Sequence, residues 1–172
     1  VCLSVSVAFF ISPAPAKTLR VQCAYPQTAY AGQSTQFFAD KVKELTQGQV
    51  EVKVFWPGQL VKTKEAFDAV RQGMIDGYSG SLLYFAGLVP EVNCQWLPFN
   101  WSDAQDAKEV LLNKGYMKVM ADAVAQHGVT YLAPLSVATM GLMTKFPIHK
   151  LEDLKGKKIR AVGMEAKIVK AL

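Results

Sequence analysis

Arg160 is the side chain from which a chemical reading of this chain starts. It stands in Phe146-Pro147-Ile148-His149-Lys150-Leu151-Glu152-Asp153-Leu154-Lys155-Gly156-Lys157-Lys158-Ile159-Arg160. That stretch reads as a short helical turn closed by Gly156, then a strand opened by Lys157, with Arg160 near its start. A guanidinium does not lose its charge and offers a planar fork of donors to a carboxylate. Spacing and composition alone leave a second reading open, a surface salt bridge to Glu152 or Asp153. Three loops carry the other polar chemistry: Tyr25-Pro26-Gln27-Thr28, Ser79-Gly80-Ser81 and Trp96-Leu97-Pro98-Phe99. Their mixture of rings and hydroxyls suits a pocket that excludes water and fixes a small polar ligand. Any one of the aromatic residues alone reads equally as core packing.

The signatures of catalysis are missing. There is no Gly-x-Ser-x-Gly elbow, no phosphate-cradling glycine loop and no paired His and Cys. Gly73, Gly77 and Gly80 are spaced wrongly for a dinucleotide fingerprint. His127 and His149 stand alone, so no metal spacing exists, and no cofactor is expected. Asp76 reads as a turn or cap, and Glu91 and Asp103 as surface groups. Nothing pairs a nucleophile with a base. From residue 145 onward eight cations face three anions, and this stretch alone carries the net charge of +5. No aromatic-interleaved basic patch accompanies it, so it reads as a solvated face and not a nucleic-acid surface.

The elements that must position these groups follow from periodicity. Leu19 to Ala24 alternates as a strand and ends at Tyr25-Pro26. Gly32 to Gln47 reads as a helix with Phe38, Val42 and Leu45 on one face and Gly48 as its stop. Val50 to Phe55 is an alternating strand. Thr63 is placed to cap a second helix whose buried stripe is Ala66, Phe67, Val70 and Met74. Ile75 to Ser79 reads as a strand, Leu82 to Leu88 as a helical turn broken by Pro90, and Cys94 to Leu97 as another strand. Ser102 and Gln105 form a capping box for a helix through Val110 and Leu111, which Gly115 kinks or splits. Tyr116 to Gln126 continues helically and stops at Gly128. Val129 to Ala133 and Ser136 to Thr144 read as strands, and Glu165 to Leu172 as a helix. Strands alternating with helices argue for parallel β-α units in an open α/β sheet, where ligands bind at the carboxyl ends of the strands.

Val1 to Ile11 is apolar or small, and Ala14-x-Ala16 fits the cleavage pattern of a secretory signal. Residues 1–16 therefore read as a signal peptide, truncated at its start because neither Met nor a basic segment precedes it. The run is too short to span a membrane, which takes about 20 apolar residues. Export permits a disulfide between Cys23 and Cys94, although free cysteines in a core are the plainer expectation.

Several blocks then fall in order: Lys41-Val42-Lys43-Glu44-Leu45-Thr46, Phe55-Trp56-Pro57-Gly58-Gln59-Leu60, Ala66-Phe67-Asp68-Ala69-Val70-Arg71-Gln72-Gly73, Pro90-Glu91, Leu97-Pro98-Phe99, and Leu151 to Arg160. As an ordered set from Leu19 to Leu172 they resemble the solute-binding proteins of TRAP transporters, the tripartite ATP-independent periplasmic carriers. The resemblance implies an α/β, two-lobed periplasmic binding protein of type II-like build. Residues 17–134 would form lobe one, and residues 135–172 the crossover strand and the start of lobe two, in a chain cut at both ends and marginally stable alone. It implies capture of a small organic acid and delivery to TRAP membrane subunits in the periplasm, by a binding protein that is not an enzyme. A binding protein serving a sensor, or an enzyme on the same fold, would be the alternatives. Arg160 maps onto the family's carboxylate clamp. A second arginine common in the family has no counterpart here; its place falls near Met140, beside Thr139 and Thr144. One firmly held carboxylate is therefore expected, with Ser81, Tyr84, Tyr25 and Thr139 meeting the rest of the ligand. A 2-oxo acid or other monocarboxylate fits best, with a sugar acid or dicarboxylate behind it.

Overall fold

The computed structural model describes residues 16–97, 100–135, 141–161 and 163–171. Its centre is a parallel three-stranded sheet in the order β2-β1-β3, built from β1 (Lys17–Cys23), β2 (Val50–Phe55) and β3 (Gly77–Ser79). β1 lies between the others, with Val21 opposite Val54 on one side and Gly77 on the other. The third strand is shorter than the expected Ile75–Ser79. Asp76 precedes it and locks its entry: the Asp76 amide donates to the Arg20 carbonyl at 2.9 Å, and its carboxylate accepts from the Arg20 amide at 2.7 Å. The turn role expected of Asp76 is thus a clamp between two strands.

Only the C-terminal end of β1, where both neighbours pair with it, is covered on both faces, and there the polar position is buried as well. Gln22, which the alternation of β1 would send to water, is almost wholly buried. Its amide nitrogen donates to the carbonyls of Cys23 and Trp56, and its amide oxygen accepts from the backbone of Leu60 and Val61. The side chain pairs with backbone groups of the partly buried 56–61 loop.

Helix α1 (Tyr30–Leu45) packs on this sheet through Ala31, Gly32, Thr35 and Ala39. Small residues let the helix approach closely, and that inverts the expected stripe: Phe38 is 44% and Leu45 79% exposed. A second core gathers around β3. Ala66, Phe67, Phe85, Val89, Val92, Met120, Ala123 and Val124 are buried together. Phe67 and Phe85 have ring centroids 5.3 Å apart. Each such side chain contributes about 1.5–3 kcal/mol by leaving water.

Several local expectations change on the same physical grounds. α2 (Ala66–Arg71) ends before Gly73, whose φ of 71° no continuing helix adopts, so Met74 falls off the stripe and is 52% exposed. Thr63 does not cap it; a 3-10 turn, Thr63–Glu65, leads in without a side-chain cap. Leu82–Phe85 is the expected helical turn, of 3-10 type. Pro90 opens a further 3-10 helix, Pro90–Trp96, instead of only breaking one, and Cys94 therefore lies in a helix and not a strand. Proline suits a first helical turn because its missing amide has no partner there. The cap of α3 (Ala104–Asn113) is Asp103, one residue later than expected; it accepts from the amides of Gln105 and Asp106, while Ser102 donates to Asp106. Gly115, at φ 88°, splits α3 from α4 (Tyr116–Ala125) as read. The segment Val129–Ala133 is not a strand, nor are residues 141–144 or the run after Lys157. None of them has a ladder partner among the described residues, and alternation without a neighbour makes no strand. Residues 136–140 of the expected crossover strand, and 1–15 of the expected signal, lie outside the described residues. α5 (Met164–Ala171) matches the last expected helix. Among the described residues no helix is long and apolar enough to cross a membrane.

Candidate functional site

The carboxyl ends of β1 and β3 meet at one edge of the sheet. Cys23 and Ser79 are opposite each other, and the Ala24 amide extends the pairing to the Ser79 carbonyl at 2.8 Å. That register puts the Tyr25 loop beside Gly80 and Ser81. The turn Leu82–Phe85 follows at once, with Ser81 as its N-cap: its hydroxyl oxygen accepts from the Leu83 amide at 3.2 Å. Tyr84 stands on that turn, partly exposed. Three of the five expected site residues, Tyr25, Ser81 and Tyr84, are thereby brought together. Thr139 lies outside the described residues, as do Pro98 and Phe99 of the third loop.

The titration of the phenols follows from this proximity. The Tyr25 phenol is held above its ordinary pKa, first by burial and then by the neighbouring Tyr84 phenol and Cys23 thiol, while a backbone hydrogen bond from Ser81 opposes the shift. Tyr78 is pushed up further, again first by burial, with Tyr25, Tyr84 and Cys23 adding to it. All three rings thus belong to one cluster. The Tyr78 hydroxyl is buried with no hydrogen-bond partner among the described residues. It lies against Gly80, where any Cβ would overlap the phenol oxygen. Beneath the cluster the Thr35 hydroxyl links α1 to the sheet. It bonds the Ala31 carbonyl at 2.8 Å and the Ser79 hydroxyl at 2.7 Å, and touches the Cys23 sulfur at 3.5 Å. Gly32 completes the seat, because a Cβ there would strike the Pro26 carbonyl of the Tyr25 loop.

Tyr78, Thr35, Gln22 and Gly32 were not singled out by sequence as site-building residues. One signal was available: glycine inside a strand or helix marks a close approach of backbones, and Gly77-Tyr78-Ser79-Gly80 and Gly32 both carry it. The shared burial of Thr35 and Gln22 had no sequence signal.

Arg160 is exposed, outside any helix or strand, and forms no ion pair with Glu152 or Asp153. Asp153 instead accepts from the amides of His149 and Lys150. Three residues on, Gly163 packs on Leu83, so closely that a Cβ would lie 2.8 Å from its side chain. Three residues span at most about 11 Å, which leaves the Arg160 backbone within that distance of the backbone at Gly163. Two surface depressions, of about 460 and 230 Å³, both belong to residues 146–170 and contain none of the expected site residues. The larger sets Glu152 and Asp153 beside Lys155 and Lys157, a lining with no preference of sign. No cluster of metal-ligating residues occurs among the described residues. Cys23 is buried and Cys94 exposed, both as free thiols, so the bridge is not formed and Cys94 is not a core residue.

Among the described residues, the strand ends of this parallel sheet bring hydroxyls and rings together at one edge. The chain belongs to the bacterial extracellular solute-binding protein family 7, which it matches over residues 22–172. It is 29% identical over 154 residues to the 2,3-diketo-L-gulonate-binding periplasmic protein YiaO of Escherichia coli, covering 89% of this chain and 47% of that protein. Among solved structures it resembles a TRAP periplasmic solute-binding protein of Rhodobacter sphaeroides in an apo open form, with 31% identity, a TM-score of 0.63, and coverage of 90% of this chain and 50% of that one. A second, from Sulfurospirillum deleyianum with bound succinate, shares 32% identity and a TM-score of 0.57 over 65% of this chain and 36% of that one. The chain spans about half the length of the relatives it matches. Their fold is the expected two-lobed α/β binding protein, of which one lobe-like part is present here.

Proposed function

We propose that this chain is part of a periplasmic receptor that captures a small organic acid and delivers it to TRAP membrane subunits. The observation that supports the reading is the convergence of Tyr25, Ser81 and Tyr84 at the carboxyl edge of the sheet, with the irregular run bearing Arg160 leading to Gly163, which packs on Leu83 of the same turn. α1 begins at this edge with no acidic residue in its first turn and no side-chain cap, so its amides add a favourable field for an anion. The periplasmic names of the relatives support export, and the ligand named for YiaO and the one bound in the Sulfurospirillum structure are both carboxylates.

In this reading Arg160 holds the ligand carboxylate with two charge-assisted bonds, each worth about 1.5–3 kcal/mol. Micromolar affinity takes about 8 kcal/mol, so closure of a second lobe supplies the rest. The ligand is a monocarboxylate or 2-oxo acid before a sugar acid or dicarboxylate, because only one arginine is placed for it. Residues 17–134 serve as lobe one, residues 135–172 lead into lobe two, and Thr139 on the crossover supplies a further hydroxyl. Calorimetric titration of organic acids into the complete protein tests the assignment. Arg160→Ala abolishes binding and Arg160→Lys weakens it sharply, since an ammonium cannot form the bidentate fork. Affinity unchanged in Arg160→Ala removes the clamp.

A further inference from the structure

Gln22 is the last residue of β1 with a neighbour in both flanking strands, Phe55 on one side and Tyr78 on the other. Beyond it the three parallel strands run out into loops at one carboxyl edge: the Tyr25 loop from β1, Gly80-Ser81 from β3 and residues 56–61 from β2. The loop from β2 carries its own turn. The Gln59 amide donates to the Trp56 carbonyl at 3.0 Å, and the Gln59 side-chain oxygen accepts from the Trp56 amide at 2.8 Å. Those bonds shape the tip but do not say where it stands. Gln22 does. Its nitrogen donates to the Trp56 carbonyl at 2.8 Å and to the Cys23 carbonyl at 2.9 Å, and its oxygen accepts from the Leu60 amide at 3.1 Å and the Val61 amide at 3.4 Å. One buried side chain thus holds both feet of the loop and the backbone two residues before Tyr25. Neither the Leu60 nor the Val61 amide has another hydrogen-bond partner among the described residues.

We infer that Gln22 is a positioning residue of the ligand site: it holds the 56–61 loop at a fixed offset from the Tyr25 loop, so that the edge is set before a ligand arrives. The inference rests on the receptor reading above. A buried amide returns little net stability, because its bonds only replace bonds to water. Fully paired, it instead imposes one arrangement on the groups around it. An apolar side chain of the same length would fill the space between Phe55 and Tyr78 without that constraint. An edge already ordered in the free protein loses less binding energy to the ordering of loops, and that is the contribution of Gln22 to affinity.

The test uses the complete protein with pyruvate, succinate and D-gluconate as probes; the acid that wild type binds most tightly by calorimetry is carried through the variants. Gln22→Met keeps the length of the side chain and removes its four bonds. At a temperature well below its own melting point it binds the probe about three- to tenfold more weakly. Peptides covering residues 57–62 exchange amide hydrogens at least about fivefold faster, while those of β2 keep the wild-type rate. Gln59→Ala loosens the same turn from its exposed side and weakens the probe in the same direction; it decides the matter where Gln22→Met does not fold. A Gln22→Met protein that melts lower yet binds the probe as wild type does makes Gln22 a core amide only and overturns the inference, with the receptor reading intact. Unchanged affinity in Gln59→Ala does the same where it is the deciding variant. A wild type that binds none of the three acids removes the receptor reading and this inference together.

Discussion

Gly32→Ala is a substitution for which local and tertiary reasoning predict opposite signs. Gly32 lies in the first turn of α1, where alanine has the better helix propensity by about 1 kcal/mol. In the fold, its missing side chain faces the Tyr25 loop. A Cβ there would lie 2.9 Å from the Pro26 carbonyl carbon and 3.1 Å from the Gln27 Cα, with the Pro26 oxygen closer still. Carbon atoms rest at about 3.5–4.0 Å, so the loop or the helix must move by roughly 0.5–1 Å. The obstructing atoms are all backbone, and no rotamer change relieves them. Overpacking of this kind costs about 1–3 kcal/mol, and its upper range applies here. After the propensity gain the net loss is about 1–2 kcal/mol, or a fall in Tm of about 2–8 °C. The same displacement shifts Tyr25 against Ser81, so carboxylate affinity falls as well. Differential scanning calorimetry with and without ligand reads both effects on the complete protein. A Gly32→Ala protein that melts higher and binds equally would show that α1 does not seat the loop.

The other predictions concern titration and thiols. Tyr25, Tyr78, Tyr116 and Tyr131 are all raised, chiefly by burial, so they ionise above the ordinary phenol value of about 10. Their contribution to stability is complete below that value and disappears as pH rises through the folded pKa values; phenolate absorbance that follows a free tyrosine derivative contradicts this. The Asp76 carboxyl is held below its usual range, first by the Arg20 backbone hydrogen bond and then by the Arg20 side chain. Its stabilisation is present above about pH 4 and is lost as pH falls through the lowered value. The group is largely solvated, so the effect stays below about 1 kcal/mol, and Asp76→Asn flattens this part of the acid limb in urea melts. Cys94 reacts with a thiol reagent in the folded protein while Cys23 is modified only on unfolding; peptide mapping that finds both labelled at equal rates refutes the burial of Cys23.

Much of the frame was legible because it is repetitive. Val50 to Phe55 alternates cleanly and forms β2 over those residues, and glycine at 48, 115 and 128 takes the positive φ expected of a stop or a split. Reading failed where a neighbour decides. Phe38 and Leu45 have helical spacing, yet α1 buries its small side, because close approach to the sheet outweighs the larger apolar area. Cys94 and Val129–Ala133 alternate like strands but have no ladder partner among the described residues. Of the candidate site, loop composition pointed to Tyr25 and Ser81 and the family resemblance added Tyr84, whereas Tyr78 and Thr35 entered only through packing.

The chain by itself determined the alternation of strand and helix, the glycine stops, the cationic final stretch and the family, since each is carried by residue type and spacing along one dimension. Tertiary structure alone decided that Cys23 and Ser79 come opposite each other, that three tyrosines share one uncharged seat, and that Gly163 rests on Leu83. The physical reason is that side-chain charge and backbone propensity travel with the residue, while burial, register and the pKa of a phenol depend on partners more than fifty residues away.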